Sequence, residues 1–275
     1  MHKARLSTKN DYPCFLSFNA LGYLLPSIGI FMELNNKKDL VITRHNSLIE
    51  GSYKLNLDEQ RLLYLCITQL DPRRSLPKDN SFTVTAKEFA EIFHINEKSV
   101  YQQIEEAAKK LADRWLKTHD GKYREQFRWV FGVRYHDTEG KVTLGFSPWV
   151  IPYLTCLREK FTSFKLSQVA NLNSIYSIRL LEFLMQFKAT GKFIIELDKF
   201  KERLGLENEY KRFFDLKKRV IDVAIKELRE KSNLVVSWQS IKCGRMIKQL
   251  EFSFSEKEIV VDEDQLELKL EEEVA

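Results

Sequence analysis

An α+β fold built from two copies of one small module is what this 275-residue sequence predicts. Three observations carry that expectation. Phe82-Thr-Val-Thr-Ala-Lys-Glu-Phe89-Ala-Glu-Ile-Phe-His-Ile95 and Phe193-Ile-Ile-Glu-Leu-Asp-Lys-Phe200-Lys-Glu-Arg-Leu-Gly-Leu206 spell strand, short helix and tight turn in one register. Phe82 with Phe193, Phe89 with Phe200 and Ile95 with Leu206 all stand 111 residues apart, a period that fits a duplicated small domain, since solenoid repeats are much shorter. In both copies a longer amphipathic helix follows, and two runs alternating at period two then close the unit as a hairpin. Helix, helix, helix, hairpin is the order of a winged helix. The expected fold is therefore two winged-helix domains related by pseudo-symmetry.

In the first copy, residues 56–70 place Leu62, Leu65, Cys66 and Leu70 at helical spacing, and Asp71-Pro72 stops the helix. A loop over 73–80 leads to a strand at 82–84. Thr85-Ala-Lys-Glu88 then reads as a capping box opening a helix that carries Phe89 and Phe93. A third helix is expected over 97–116, with Val100, Ile104, Ala107, Ala108, Leu111 and Trp115 inward and Tyr101, Gln102, Glu105, Lys109 and Lys110 outward. Strands at 126–135 and 141–146 flank the turn Asp137-Thr-Glu-Gly140. Their alternating Phe127, Trp129, Phe131, Val133 and Tyr135 are expected mostly in the core, and any exposed edge there would suit a dimer interface.

The second copy reads the same way. A helix spans 174–187, a strand 192–197, and Asp198 opens a helix that Gly205 ends. A long helix from about 208 to 229 turns Phe213, Leu216, Val220, Val223, Ala224 and Leu228 inward. Strands at 234–241 and 246–254 close around Lys242-Cys-Gly-Arg245. Pro148 and Pro152 mark the connector, with a short helix at 164–171. The expected division is a leader over 1–38, an N-terminal domain over 39–155, a C-terminal domain over 156–255 and an acidic tail over 256–275.

Charge narrows the partner. Residues 256–275 hold nine acids against two lysines, so the net charge of +5 conceals +12 on residues 1–255. A basic body attracts polyanions. The uncharged run over 12–32 superficially resembles a signal or span, but Pro13, Ser17, Asn19, Pro26 and Ser27 dilute it and no small-residue cleavage site follows. A non-native or poorly ordered leader, with Met32 as an alternative start, a cytoplasmic protein and no membrane partner are the expectation. Cys14, Cys66, Cys156 and Cys243 form no CxxC, and the five histidines form no His-x-His pair, so reduced thiols and no metal are expected. No phosphate-binding G-x-x-x-x-G-K-[ST] loop and no G-x-S-x-G elbow appears. Catalytic residues and cofactors are expected to be none.

Double-stranded DNA is the expected partner. On the long helix of the second copy, Lys211, Lys218, Arg219 and Lys226 share the face away from the core with Asp215 and Asp222. Lys and Arg on a recognition helix reach guanine O6 and N7 or flanking phosphates. The same face would also suit a solvent helix laced with intrahelical ion pairs, for which Asp215, Asp222 and Glu227 are suitable partners. Lys242, Arg245 and Lys248 surround the hairpin turn, where they would act mostly on phosphates. In the first copy Gln102, Lys109 and Lys110 are candidates on face and charge alone.

Three separated motifs make a resemblance specific. They are Val41-Ile-Thr-Arg-His-Asn46 running on to Glu59-Gln60-Arg61, Tyr210-Lys-Arg212-Phe-Phe-Asp215-Leu-Lys-Lys218-Arg219-Val with Ala224 and Glu227, and Gly244-Arg245 followed by Glu251-Phe-Ser-Phe254. Together they resemble the iteron-binding plasmid replication initiators over about residues 40–254. The resemblance implies monomers that bind directly repeated origin sites, melting of adjacent A·T-rich duplex, and recruitment of a host helicase and host initiator. It also implies dimers, joined through the N-terminal domain, that repress their own gene. Matched to that motif, Arg212, Lys217, Lys218 and Arg219 are the expected DNA contacts. A winged-helix repressor without a replication role, and a winged-helix protein that binds an acidic partner, are the alternatives. For the tail the readings are solvated disorder, competition with DNA for the basic face, or docking through Val260, Val261, Leu266, Leu268 and Leu270.

Overall fold

The computed structural model describes residues 40–76, 80–119 and 122–257. The leader, the Met32 start and the tail from residue 258 onward lie outside the described residues. The chain forms two compact units: the first runs to Asn171 and also includes Glu202–Gly205, and the second takes Leu172–Lys201 and the residues from Leu206 onward.

The first unit comprises β1 (Val41–His45), α1 (Asn46–Glu50), α2 (Leu57–Thr68), β2 (Ser81–Thr85), α3 (Ala86–Phe93), α4 (Val100–Ala112), β3 (Trp115–His119), β4 (Arg124–Arg128), β5 (Val130–His136), β6 (Lys141–Phe146), β7 (Phe161–Lys165) and α5 (Ser167–Ala170). The second comprises α6 (Ile175–Met185), β8 (Lys192–Glu196), α7 (Leu197–Arg203), α8 (Phe213–Leu216), α9 (Asp222–Lys231), β9 (Leu234–Cys243) and β10 (Met246–Glu256). A π turn at Lys217–Ile221 carries α8 into α9.

Within these units the expected repeat is present. The antiparallel sheets run β2-β6-β5 and β8-β10-β9, so in each the strand before the helix-turn-helix pairs with the last strand of the ribbon. Phe82 stands opposite Leu144, and Phe193 opposite Phe252. α2, α3 and α4 correspond to α6, α7 and the α8–α9 helix. Phe82, Phe89, Phe93, Ile104 and Phe146 lie in the first core. In the second, Phe252 has the rings of Phe193 and Phe200 each 5.9 Å away, and Phe183 joins at 6.0 Å from Phe193. Both modules are winged helices.

Local chemistry sets the helix starts. The Asn56 side chain accepts from the Glu59 amide at 2.8 Å while Glu59 accepts from the Asn56 amide at 3.0 Å, a reciprocal cap. The Glu59 carboxylate also receives Arg114 through two bonds of 2.9 and 2.8 Å. Thr85 accepts from the Glu88 amide, the first half of the box expected there.

Several expected boundaries moved. The helix foreseen over 97–116 ends at Ala112, because Arg114 is drawn to Glu59 and Trp115 opens β3, where it is exposed with Arg128 stacked over it. The strand foreseen over 126–135 is two strands. The chain breaks at fully buried Trp129, so Phe127 stays in the core while Phe131 is 67% exposed and Tyr135 also reaches solvent. Phe131 sits at a bulge, between the pairs Val130–Phe146 and Gly132–Gly145, and its ring covers Gly145, where an added Cβ would lie 2.7 Å from it.

The expected division at 155/156 also differs from the division after Asn171. β1 pairs with β7 along its whole length, the Thr162 hydroxyl donates to Asn46, and the Asn46 amide donates to the Lys160 carbonyl. These bonds hold residues 160–165 in the first unit. The expected helix over 164–171 is in fact the end of β7 followed by α5.

Replacing Glu59 by Ala removes the acceptor for both the α2 cap and Arg114. The expected loss is about 2–3 kcal/mol of stability in urea unfolding. An unchanged midpoint would show that these three hydrogen bonds are not needed.

Candidate nucleic-acid interface

The second module presents most of the candidate cations on one helix and one turn. Arg212 precedes α8 and donates to the Asp215 carboxylate at 2.7 and 3.2 Å. This fork holds Asp215 below the usual carboxylate range, with Arg219 and Lys218 adding to the effect. Lys217 donates to Asp222 at 2.6 Å and lies 5.8 Å from the centre of the Trp238 ring. Lys226 reaches Glu230 only at 4.0 Å. Lys211, Lys218 and Arg219 are exposed and form no ion pair among the described residues. Lys217, Lys218 and Arg219 are consecutive within the π turn, a feature often found at functional sites.

Trp238 on β9 also touches Phe213, at 6.3 Å, and so joins the start of this helix to the ribbon. At the ribbon's tip Cys243 pairs with Met246, leaving Gly244 and Arg245 as a two-residue turn. Gly244 has φ +62°, which suits glycine there. Lys242, Arg245 and Lys248 are exposed, and Lys248 is the extra residue where the register shifts between Ile247 and Gln249.

The corresponding surface of the first module is balanced. Gln102, Lys109 and Lys110 are exposed on α4, but Lys110 is paired with Glu106 at 2.6 Å. The β5–β6 turn carries Asp137 and Glu139, the latter paired with Lys141. The Tyr101 hydroxyl donates to Asp137 at 2.7 Å, which ties α4 to that turn and raises the phenol to about 12.

Two features of this helix are not evident from the sequence. Phe214 is 65% exposed on the first turn of α8, although a Phe-Phe doublet in a helix already signals that one ring must leave the core. Glu227 does more than pair with a surface lysine. Besides Lys231 at 2.9 Å it accepts from the backbone amides of Asn173 and Ser174, at 2.8 and 3.0 Å, and so binds the start of α6 to the recognition helix. Among the described residues no group of His, Cys, Asp and Glu could hold a metal ion, and no helix is long and apolar enough to cross a membrane.

Tandem winged helices, with a basic helix and basic ribbon on the second, define a DNA-binding protein. Residues 41–185 match the family described as Initiator Replication protein, WH1, and residues 196–254 match Initiator Rep protein, WH2. The chain belongs to this family of replication initiators and is a DNA-binding initiator of plasmid replication. A replication initiation protein of Escherichia coli is 30% identical over 224 residues, spanning 78% of this chain and 70% of the relative. An uncharacterized 27.6 kDa protein of Escherichia coli is 25% identical over 228 residues, spanning 78% and 95%. The crystal structure of Pi initiator protein in complex with iteron DNA is similar in fold, with a TM-score of 0.70 at 24% identity, over 81% of this chain and 99% of that one.

Burial pushes the Glu227 carboxyl up, but its hydrogen bonds outweigh burial and leave it below the ordinary 4.5. A carboxyl depressed in the folded state contributes stability above its unfolded pKa and loses it as pH falls through the folded value. Glu227→Gln should therefore cost about 1–3 kcal/mol near neutral pH. The gap from the parent protein should close below about pH 4.5 in unfolding curves. A gap independent of pH would exclude the carboxylate's charge as its source.

Proposed function

We propose that this initiator binds directly repeated origin sites in double-stranded DNA with both modules, reading sequence chiefly through the second. Lys218 and Arg219, exposed on the third helix of the second winged helix and free of ion pairs among the described residues, are the observation that carries this reading. Side chains so placed reach base edges in the major groove, while Lys211, Arg212, Lys217 and Lys226 would serve the flanking phosphates. Lys242, Arg245 and Lys248 would lie along the backbone beside the ribbon. Gln102, Lys109 and Lys110 would make the weaker contacts of the first module. The iteron complex of the structurally similar Pi initiator supports repeated sites as the target.

Binding two successive major grooves on one face, about 34 Å apart, would favour opening of adjacent A·T-rich duplex and recruitment of host helicase and host initiator. Dimers would form through the N-terminal module and repress the chain's own gene. The exposed Phe131 on β5, an edge strand of its sheet, supports that interface. The protein would act in the cytoplasm without catalysis or cofactor.

Footprinting on the DNA flanking the gene should protect about two helical turns of a direct repeat. Protection of a few base pairs would contradict binding by both modules. Affinity should fall on the order of 10³-fold between 50 and 200 mM salt for ~6 phosphate contacts. Lys218→Ala and Arg219→Ala should each weaken specific binding by about 1–3 kcal/mol, and unchanged affinity in both would overturn the assignment of that helix. A plasmid carrying the protected repeats should replicate only when the protein is supplied.

A further inference from the structure

We propose that Phe214 is a specificity-determining residue whose phenyl ring meets the C5-methyl group of a thymine in the major groove. The proposal rests on the DNA-binding reading above and names one chemical feature of the site. Phe213 and Phe214 open the helix together and divide its two faces. Phe213 is half-buried against Trp238, while Phe214 is 65% exposed, more than any other large apolar side chain described in the second module.

The neighbours of this ring identify its occupant. Residues three and four positions apart adjoin on a helix, so Lys217 and Lys218 lie beside Phe214, while Lys211 stands in the bend just before the helix. Lys211 and Lys218 form no ion pair among the described residues, and Arg219 follows directly. A phenyl group beside Lys218 and Arg219, which form no ion pair among the described residues, is a poor match for an apolar protein groove, which would have to desolvate those charges. It matches a duplex groove, whose phosphate walls meet the cations while its floor offers the thymine methyl as the apolar group. The ring then separates thymine from cytosine at a position where lysines, which recognise guanine or phosphate, cannot.

The full-length chain would be used to select duplexes from a random-sequence pool, and each thymine of the selected site then replaced singly by deoxyuridine, which deletes only the methyl. At one position or more, deoxyuridine should weaken binding about fourfold, the effect of one methyl group returned to water. Phe214→Ala should bind the thymine site about as weakly as the parent binds the deoxyuridine site, and should no longer distinguish the two. Its affinity for unrelated duplex and its melting temperature should stay those of the parent, since the ring is exposed. Phe214→Leu should keep part of the discrimination. Full discrimination in Phe214→Ala, or no position sensitive to deoxyuridine, would overturn the proposal and leave the ring to a protein partner. A pool yielding no enriched sequence would instead overturn the DNA-reading assignment on which it rests.

Discussion

In each module the strand that precedes the helix-turn-helix is hydrogen-bonded to the last strand of the ribbon. That pairing makes the recognition helix and the wing parts of one body, although they are distant in sequence. Apolar residues lock the pairing from within: Phe82 opposite Leu144 in the first module, and Phe193 opposite Phe252 in the second. Side chains alternate across a strand, so a slip of one residue would turn every ring of the set out of its core. The Phe183, Phe193, Phe200 and Phe252 cluster therefore fixes register and helix position together. Cations placed on this frame keep their spacing without needing contacts among themselves.

One frame carries two different surfaces. In the second module the tip of the ribbon and the π turn are basic, and the carboxylates Asp215 and Asp222 engage Arg212 and Lys217 while leaving Lys218 and Arg219 outside any ion pair among the described residues. In the first, Glu106 and Glu139 engage the lysines nearest to them, and Asp137 takes the Tyr101 hydroxyl. Counterion release scales with the number of phosphates neutralised, so under the proposed assignment most of the salt-dependent affinity would belong to the second module. The first module holds additional structure instead, in the β1–β7 and β3–β4 sheets.

The repeat was legible in the sequence because each module buries large aromatic groups at fixed intervals, and burial of rings constrains sequence more strongly than any surface feature does. Phe82, Phe89, Phe193 and Phe200 all fell where their spacing placed them. The β1–β7 sheet was not legible, since its strands stand 120 residues apart and each is too short for alternation to announce itself. β3 was hidden because Trp115 and Leu116 continue the apolar period of α4, and only the long-range pull of Glu59 on Arg114 ends the helix first. Val223 was expected inward and is exposed, while Ile221 and Ile225 are buried. The spacing of a regular helix does not hold there because the chain contains a π turn.

That turn has a physical origin in the spacing of the core. Leu216, Val220, Ala224 and Leu228, all buried, stand four residues apart. At 3.6 residues per turn, such a stripe would drift around an α-helix by about 40° at each step and soon leave the core. Widening one turn at Lys217–Ile221 takes up part of the drift and lets the stripe continue. The outer wall of the widened turn is Lys217, Lys218 and Arg219. A requirement of packing on the inner side of the helix thus sets the orientation of its cations on the outer side. Sequence variation at Leu216 or Val220 would act on DNA recognition through the backbone, without any contact to the nucleic acid.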